Sequence, residues 1–170
     1  MKKQGARTML NRRNRNGLFF LSVLLILCGN LVGCSGMNED SKDVSLSAVE
    51  ESIKQAVSLE EMQKGDKNRL KKLYQIDEKE VEDFVLYTAT SNVKANELAV
   101  IKVKQADQAE SVQEKIRERI EAQKRKLKDY RPKEFYLVER HVLKANQAYI
   151  LFVVSEDAEV IEAVFDEALS

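Results

Sequence analysis

The segment Gln147-Ala148-Tyr149-Ile150-Leu151-Phe152-Val153-Val154 decides the fold of this chain of 170 residues. It is rich in β-branched and aromatic side chains, which predicts a strand. A second strand, at about residues 135–143, precedes it across the turn Lys144-Ala145-Asn146. Ser155 caps a predicted helix that follows the strand. The apolar face of that helix consists of Ala158, Ile161, Val164, Phe165 and Leu169.

The same order of elements occurs fifty positions earlier, where Val93-Lys94-Ala95-Asn96 resembles Leu143-Lys144-Ala145-Asn146. Strands are predicted at 84–88 and 98–103, and the longest helix at about 107–129. A doubled strand–strand–helix unit predicts an α+β fold with a four-stranded, mostly antiparallel sheet and both long helices on one face. The alternative is that two hairpins with similar turn chemistry are alike by chance.

The two copies differ on the other face of the sheet. Lys102 and Lys104 alternate outward in the first copy, whereas Ile150, Phe152 and Val154 take those positions in the second. An apolar row of this kind needs a cover, which we expect from the N-terminal helices or, alternatively, from a partner or second copy. The expected covering residues are Ile53, Val57, Leu70 and Leu73.

Capping motifs predict short helical segments before the first strand. Ser47-Ala48-Val49-Glu50 has the pattern of a capping box, and Ser58-Leu59-Glu60-Glu61 restarts a helical turn. Gly65-Asp66 breaks the chain and caps a second helix, and Asp77 with Glu80 opens a single turn.

The first 33 residues have the order of a bacterial lipoprotein signal peptide: cations, an apolar segment, small residues and then a cysteine. The apolar run Leu18 to Cys28 is shorter than the roughly 20 residues that a membrane-spanning helix needs. Leu31-Val32-Gly33-Cys34 is a lipobox, so we expect cleavage between Gly33 and Cys34 and a diacylglyceryl (palmitate-type) anchor on Cys34. The alternatives are an ordinary secretory signal with a free Cys34 and a retained anchor. The expected location is the cell membrane, facing the extracytoplasmic side.

The remaining chain divides into two parts. Residues 34–46 are expected to be the lipidated cysteine with a flexible tether, and 47–170 a single α+β domain. The leader holds six of the 28 basic residues and none of the 28 acidic ones, so the rest has a net charge of about −6, which disfavours nucleic acid. Removal of Cys28 and acylation of Cys34 exclude disulfides, thiolate nucleophiles and cysteine zinc sites.

Residue types that usually carry chemistry are sparse. His141 is the single histidine, and we expect it on the strand 135–143 without metal-binding companions. The acidic residues 77–83 lack the glycine of a calcium loop. We therefore expect no metal, no cofactor and no catalytic site.

Two groups of residues are candidates for contact with a ligand or partner. The long loop between the first two strands offers Ser91, Asn92, Lys94 and Asn96. The end of the longest helix offers a basic group for an anionic polymer or lipid headgroup, although bases also suit a helix C-terminus. This group contains Lys124, Arg125, Lys126 and Lys128.

Five segments between residues 70 and 169 resemble a bacterial lipoprotein family known only as domain of unknown function 4358. They are Leu73–Asp77, Tyr87–Ala89 with Ser91–Ala95, Ala99–Val103, Tyr130–Pro132 and Val153–Ala158. The resemblance implies a lipoprotein of Gram-positive-type bacteria and the limits of its domain, and it implies no chemistry. We expect a lipid-anchored, non-enzymatic binding or accessory module whose partner is a protein or an envelope component. The alternative is an envelope enzyme with an unrecognised active site.

Overall fold

The structure of the chain, a computed structural model, describes residues 43–170. The predicted signal peptide 1–33, the lipidation site Cys34 and the tether as far as residue 42 lie outside the described residues. The predicted end of the tether at residue 46 is wrong, because Leu46 is buried at the start of a helix and the Val44 N–H donates to the Tyr149 hydroxyl at 2.9 Å. Within 43–170, no helix has the length and apolar character needed to cross a membrane.

An antiparallel sheet of five strands forms the centre of the described domain, in the order β1-β2-β3-β5-β4. The strands are β1 Met62–Lys64, β2 Val81–Ala89, β3 Glu97–Val103, β4 Val142–Asn146 and β5 Tyr149–Val154. The α+β class and the antiparallel sheet are confirmed, and the sheet has one strand more than the predicted four. The additional strand β1 is too short to show an alternating pattern in the sequence.

Within residues 43–170, five α-helices pack against the two faces of this sheet. They are α1 Leu46–Ala56, α2 Lys67–Tyr74, α3 Ala109–Leu127, α4 Pro132–Glu139 and α5 Ala158–Ala168. Helices α2 and α3 cover one face, and α1 and α5 cover the other. The prediction that both long helices lie on one face is therefore wrong. Both faces of β3 and β5 are apolar, so each face needs its own helical layer.

The row Ile150, Phe152 and Val154 is buried under the stripe of α3 that contains Ile116 and Ile120. Leu70 and Leu73 of α2 join this layer, as predicted, whereas Ile53 and Val57 pack on the opposite face. The predicted cover is therefore confirmed for Leu70 and Leu73 and wrong for Ile53 and Val57. Positions related by the fifty-residue repeat also face opposite layers: Ala99, Ile101 and Val103 lie in one core, and Tyr149, Leu151 and Val153 in the other.

The predicted strand at residues 135–143 is wrong, because residues 132–139 form α4. Pro132 occupies the first turn, where its missing N–H costs no hydrogen bond, and Val138 is buried. The turn between β4 and β5 lies two residues beyond the predicted position, with Gln147 in the left-handed region at φ 52°.

Two of the predicted caps are confirmed. Asp66 accepts a hydrogen bond from the Arg69 N–H, and Asp77 with Glu80 forms a capping box. The predicted capping box at residues 47–50 is wrong, since α1 begins at Leu46 and Glu50 is buried. The buried Glu50 side chain makes tertiary contacts instead, so it cannot hydrogen-bond to the backbone at the start of the helix.

Candidate functional site

A cleft with a volume of about 330 Å³ opens between the β2–β3 loop (residues 90–96), α2 and α3. We call it the β2–β3 cleft. Its polar and charged lining comes from Arg69 and Lys72 of α2, Ser91, Asn92, Lys94 and Asn96 of the loop, Thr88 and Glu97 of the strands, and Arg119, Gln123 and Lys126 of α3. The spacing of the α3 residues places them on the side of that helix that meets the loop.

The floor of the cleft contains the buried carboxylate of Glu97, which is 2% exposed. Arg119 donates to it from Nη2 at 2.9 Å and from Nε at 3.3 Å, and Tyr74 donates from its hydroxyl. Burial and the charge of Glu97 both raise the pKa of Tyr74 well above its ordinary value. Burial lowers the pKa of Arg119, but the hydrogen bond and charge of Glu97 outweigh it and raise the pKa. Arg119 and Glu97 therefore form an ion pair, and the neutral Tyr74 hydroxyl donates to the same carboxylate.

Gln123 completes this network and leaves one acceptor unused. Its Nε2 donates to Glu97, and its Oε1 is buried without a hydrogen-bond partner among residues 43–170. Reversing the amide would place two oxygen acceptors together, so Glu97 determines its orientation. A buried carbonyl oxygen without a donor costs about 1–3 kcal/mol.

The β2–β3 loop is held on both sides. Glu134 of α4, which is 9% exposed, accepts the Ala95 N–H at 2.8 Å and lies 3.6 Å from Lys94 Nζ. At the other end, both the N–H and the hydroxyl of Thr90 donate to the Glu61 carbonyl, at 3.0 and 3.1 Å. The loop is thus a fixed wall of the cleft, although it is far longer than a tight turn requires.

The rim of the cleft is cationic. Arg69 donates to the Thr88 hydroxyl at 2.9 Å, and Lys126 reaches the Asn92 carbonyl at 3.4 Å. Across the part of the chain that the structure describes, no carboxylate lies within ion-pair distance of Arg69, Lys72 or Lys126. Their charges are therefore available to an anion that enters from solvent.

The structure brings the predicted loop residues Ser91, Asn92, Lys94 and Asn96 together in one wall of the cleft. In contrast, the four residues of the predicted basic group do not lie together. Lys126 lines the cleft and Arg125 lines a second groove of mixed charge on α3. Lys124 pairs with Glu121 at 3.2 Å, and Lys128 is exposed outside both.

Sequence reasoning missed the residues that build the floor and part of the rim: Arg69, Lys72, Glu97, Arg119 and Gln123. One signal was available, since Glu97 directly precedes the apolar run 98–101 of β3. A charged residue at a buried strand position needs a partner. Nothing local in the sequence indicates which arginine supplies it.

The other sequence-predicted residues lie away from the cleft. His141 follows α4, and its Nδ1 lies 2.7 Å from the Val138 carbonyl oxygen, so its expected place on a strand is wrong. Asp77 and Glu80 serve the capping box and pair with Lys71 and Lys115. Among residues 43–170, no three His, Cys, Asp or Glu side chains are grouped to hold a metal ion.

The fold and the site define a three-layer α+β domain with a cationic cleft beside its first long hairpin. Residues 55–155 match the family described as Domain of unknown function (DUF4358), and the chain belongs to this family. The family predicted from the sequence is thereby confirmed, with a match that begins in α1 and ends before α5. No curated protein and no solved structure matches the chain.

Proposed function

We propose that this protein is a lipid-anchored, extracytoplasmic binding module without catalytic activity of its own, and that the β2–β3 cleft is its ligand site. The observation that carries the proposal is the rim of this cleft, where Arg69, Lys72 and Lys126 have no carboxylate within ion-pair distance among residues 43–170. A concave site that combines convergent polar groups with unneutralised charge of one sign suits a ligand of the opposite charge.

The chemistry of the cleft lining favours binding over catalysis. Glu97 is its single carboxylate, and Tyr74, Arg119 and Gln123 occupy both oxygens. A general base needs a free lone pair within reach of the substrate, and Glu97 has no such freedom. The cleft lining holds no histidine, and its one carboxylate is already occupied, so no group of the lining can activate the Ser91 hydroxyl as a nucleophile.

The proposed anchor is a diacylglyceryl group on Cys34, argued from the lipobox at residues 31–34. Two acyl chains, at about 0.8 kcal/mol for each buried methylene, hold a protein stably at a bilayer. A tether of residues 34–42 would hold the start of the domain within about 15–30 Å of the membrane surface.

Lipid anchoring is tested with Cys34→Ala in cells supplied with labelled palmitate. We expect the variant to lose the label and to retain the mass of the uncleaved chain, because both acylation and cleavage need this cysteine. Cys28→Ala is the matched control, since Cys28 lies within the predicted signal peptide, and it should keep the label. Full labelling and normal mass in Cys34→Ala would overturn the anchor.

The position of the site is tested by photocrosslinking in cells. A photoreactive residue at Asn92, in the wall of the cleft, should give a light-dependent adduct. The same residue at Val160, which is 46% exposed on α5 against the opposite face of the sheet, should not give that adduct. Equal adducts from both positions, or none from Asn92, would contradict the assignment of the cleft.

A further inference from the structure

We infer that the β2–β3 cleft and two exposed apolar side chains beside it form a docking surface for an acidic protein segment, and that the fold presents this surface away from the anchoring bilayer. The inference rests on the proposed function, because it names the class of partner for the same cleft. Three observations carry it: the charge of the rim, the apolar side chains next to the rim, and the place where the chain enters the domain.

The charge of the rim favours an acidic partner. Arg69, Lys72 and Lys126 line the cleft, and none of them has a carboxylate within ion-pair distance among residues 43–170. The chain after the leader is acidic overall, with a net charge of about −6, so these cations differ in sign from most of the molecule. A local patch of this kind guides an acidic partner to one place and one orientation.

Exposed apolar side chains lie next to the rim. Val93, in the β2–β3 loop that walls the cleft, is 40% exposed, and Tyr130 is 83% exposed four positions after Lys126. The Tyr130 N–H donates to the Leu127 carbonyl at 3.2 Å, so the chain is still turning at this point beyond the end of α3. Tyr130 therefore lies about one turn beyond Lys126.

This combination distinguishes a protein from a simple polyanion. A polymer of phosphate groups offers charge but no apolar group to cover Val93, whereas an acidic polypeptide offers both kinds of side chain. Tyrosine and arginine are also the residues that contribute most often to the binding energy of protein–protein interfaces. The pairing of unneutralised cations with Val93 and Tyr130 therefore favours a protein segment.

The chain enters the domain at the end of the sheet opposite the cleft. Lys102 Nζ lies 2.6 Å from Asp43 Oδ1, and the Val44 N–H donates to the Tyr149 hydroxyl at 2.9 Å. Lys102 stands near the end of β3, whereas Glu97 at the start of β3 forms the floor of the cleft. About 17 Å of strand separates these two residues.

The length of the tether decides which end of the domain faces the bilayer. Residues 34–42 would span about 15–18 Å on average and about 30 Å at full extension. To bring the cleft to the bilayer, the tether would have to run back along β3 and past the β2–β3 loop, which takes more than its average span. The cleft is therefore presented on the far side of the domain, where a protein outside the membrane reaches it more readily than lipid headgroups do.

The orientation is tested by energy transfer in phosphatidylcholine vesicles that carry the lipidated protein and a dye-labelled lipid as acceptor. The donor dye is attached to Asn92→Cys in the cleft wall or to Lys104→Cys just beyond β3. Acylation of Cys34 leaves the introduced thiol as the reactive one. Transfer from residue 104 should be about twice as efficient as from residue 92, because that dye lies roughly 17 Å nearer the bilayer. Equal transfer, or more from residue 92, would overturn the orientation.

The class of partner is tested by fluorescence anisotropy on the lipidated protein in a polyoxyethylene detergent. The probes are a short capped peptide of glutamate, serine and leucine, the same peptide with serine in place of leucine, and a glycerol phosphate oligomer of equal charge. We expect the leucine peptide to bind about fivefold more tightly than the other two, because its leucines cover Val93 and Tyr130. The leucine peptide with glutamine in place of glutamate should not bind.

Two sets of variants separate charge from apolar contact. Lys72→Gln with Lys126→Gln should weaken the leucine peptide about tenfold. Tyr130→Ser, a change at an exposed position, should reduce the preference for the leucine peptide over the serine peptide while both still bind. The control pair Lys79→Gln with Lys104→Gln makes the same change in charge at exposed positions near the opposite end of β3, and it should leave the affinities within about twofold.

An acidic protein segment would be excluded if the leucine peptide bound no more tightly than the glycerol phosphate oligomer, or if the control pair weakened it as much as the cleft pair. These outcomes are distinct from failure of the proposed function. Protease-resistant adducts specific to Asn92, without affinity for the peptide, would remove the protein partner and leave the binding module. Affinity for the peptide with full labelling of Cys34→Ala would remove the anchor and the orientation and leave the docking surface.

Discussion

Arg119 Nη2 of α3 donates to Glu97 Oε2 at the start of β3 across 2.9 Å, and this ion pair joins the longest helix to the centre of the sheet. The side chain of Glu97 is 2% exposed and that of Arg119 is 25% exposed. Water therefore cannot reach the Glu97 carboxylate to replace Arg119 as its partner. The same pair also forms the floor of the β2–β3 cleft, so the stability of the domain and the shape of the cleft depend on it together.

Glu97→Gln should lower the free energy of unfolding by about 3 kcal/mol, because it leaves the partly buried Arg119 without a counter-charge. The measurement is urea denaturation of the full chain followed by circular dichroism. Glu82→Gln is the matched control: Glu82 pairs with Lys102 at 2.6 Å but is half exposed, and its loss should cost less than about 1 kcal/mol. Equal losses would contradict the buried pair.

Glu50 of α1 should make the domain sensitive to acid. Burial raises the pKa of its carboxylate, but hydrogen bonds from Lys64, Tyr87 and Lys54 lower it from 4.5 to about 2. Because the native pKa lies below the ordinary value, the stabilisation is complete above about pH 4.5 and disappears as the pH falls toward 2. On the order of 2 kcal/mol should be lost in that window, after allowance for the exposed lysines.

The test of this acid sensitivity compares denaturation midpoints between pH 6 and about pH 2.5, a window that spans the titration of a carboxylate. Glu50→Gln should be less stable at pH 6 and should show a shallower decline. Glu51→Gln, at the exposed neighbouring position on α1, should keep the slope of the unsubstituted chain. The same slope in Glu50→Gln and the unsubstituted chain would exclude this role of the carboxylate.

Gly65, between β1 and α2, is required for space. A methyl group at this position would lie 2.8 Å from Leu86 Cδ2 and 2.9 Å from Leu86 Cγ, and Leu86 is fully buried. Gly65→Ala should therefore cost about 1–3 kcal/mol in the free energy of unfolding through overpacking. In a Leu86→Ala background most of this penalty should vanish. An equal penalty in both backgrounds would mean that contact with Leu86 is not its cause.

Glu134 should control the mobility of the β2–β3 loop, because its carboxylate accepts the Ala95 N–H at 2.8 Å. In Glu134→Ala, hydrogen exchange at the Ala95 amide should accelerate by roughly tenfold or more, as expected when a hydrogen bond worth about 1.5 kcal/mol is lost. Glu139→Ala, an exposed change on the same helix, should leave the exchange rate unaltered. Unchanged exchange in Glu134→Ala would show that the loop is held by other contacts.

The periodicity of apolar residues predicted much of the fold. The stripe Val112, Ile116, Ile120 and Leu127 was placed correctly on one buried face of α3, and the strands at 84–88 and 98–103 lie within β2 and β3. Periodicity failed for α4, where Phe135, Leu137 and Val138 suit a strand as well as a helix. It also could not assign helices to faces, since a sheet that is apolar on both sides accepts a helix on either.

The sequence by itself determined the family, the α+β class, most helix and strand positions and the loop that forms one wall of the cleft. These properties depend on neighbours within a few positions along the chain, and local patterns of side chains report them. The tertiary structure alone brought Gln123 to Glu97, 26 positions apart, and placed both in one cleft with the cations of α2. A contact of that kind depends on how α3 crosses the sheet, and that crossing is decided by the packing of two cores, which no local pattern records.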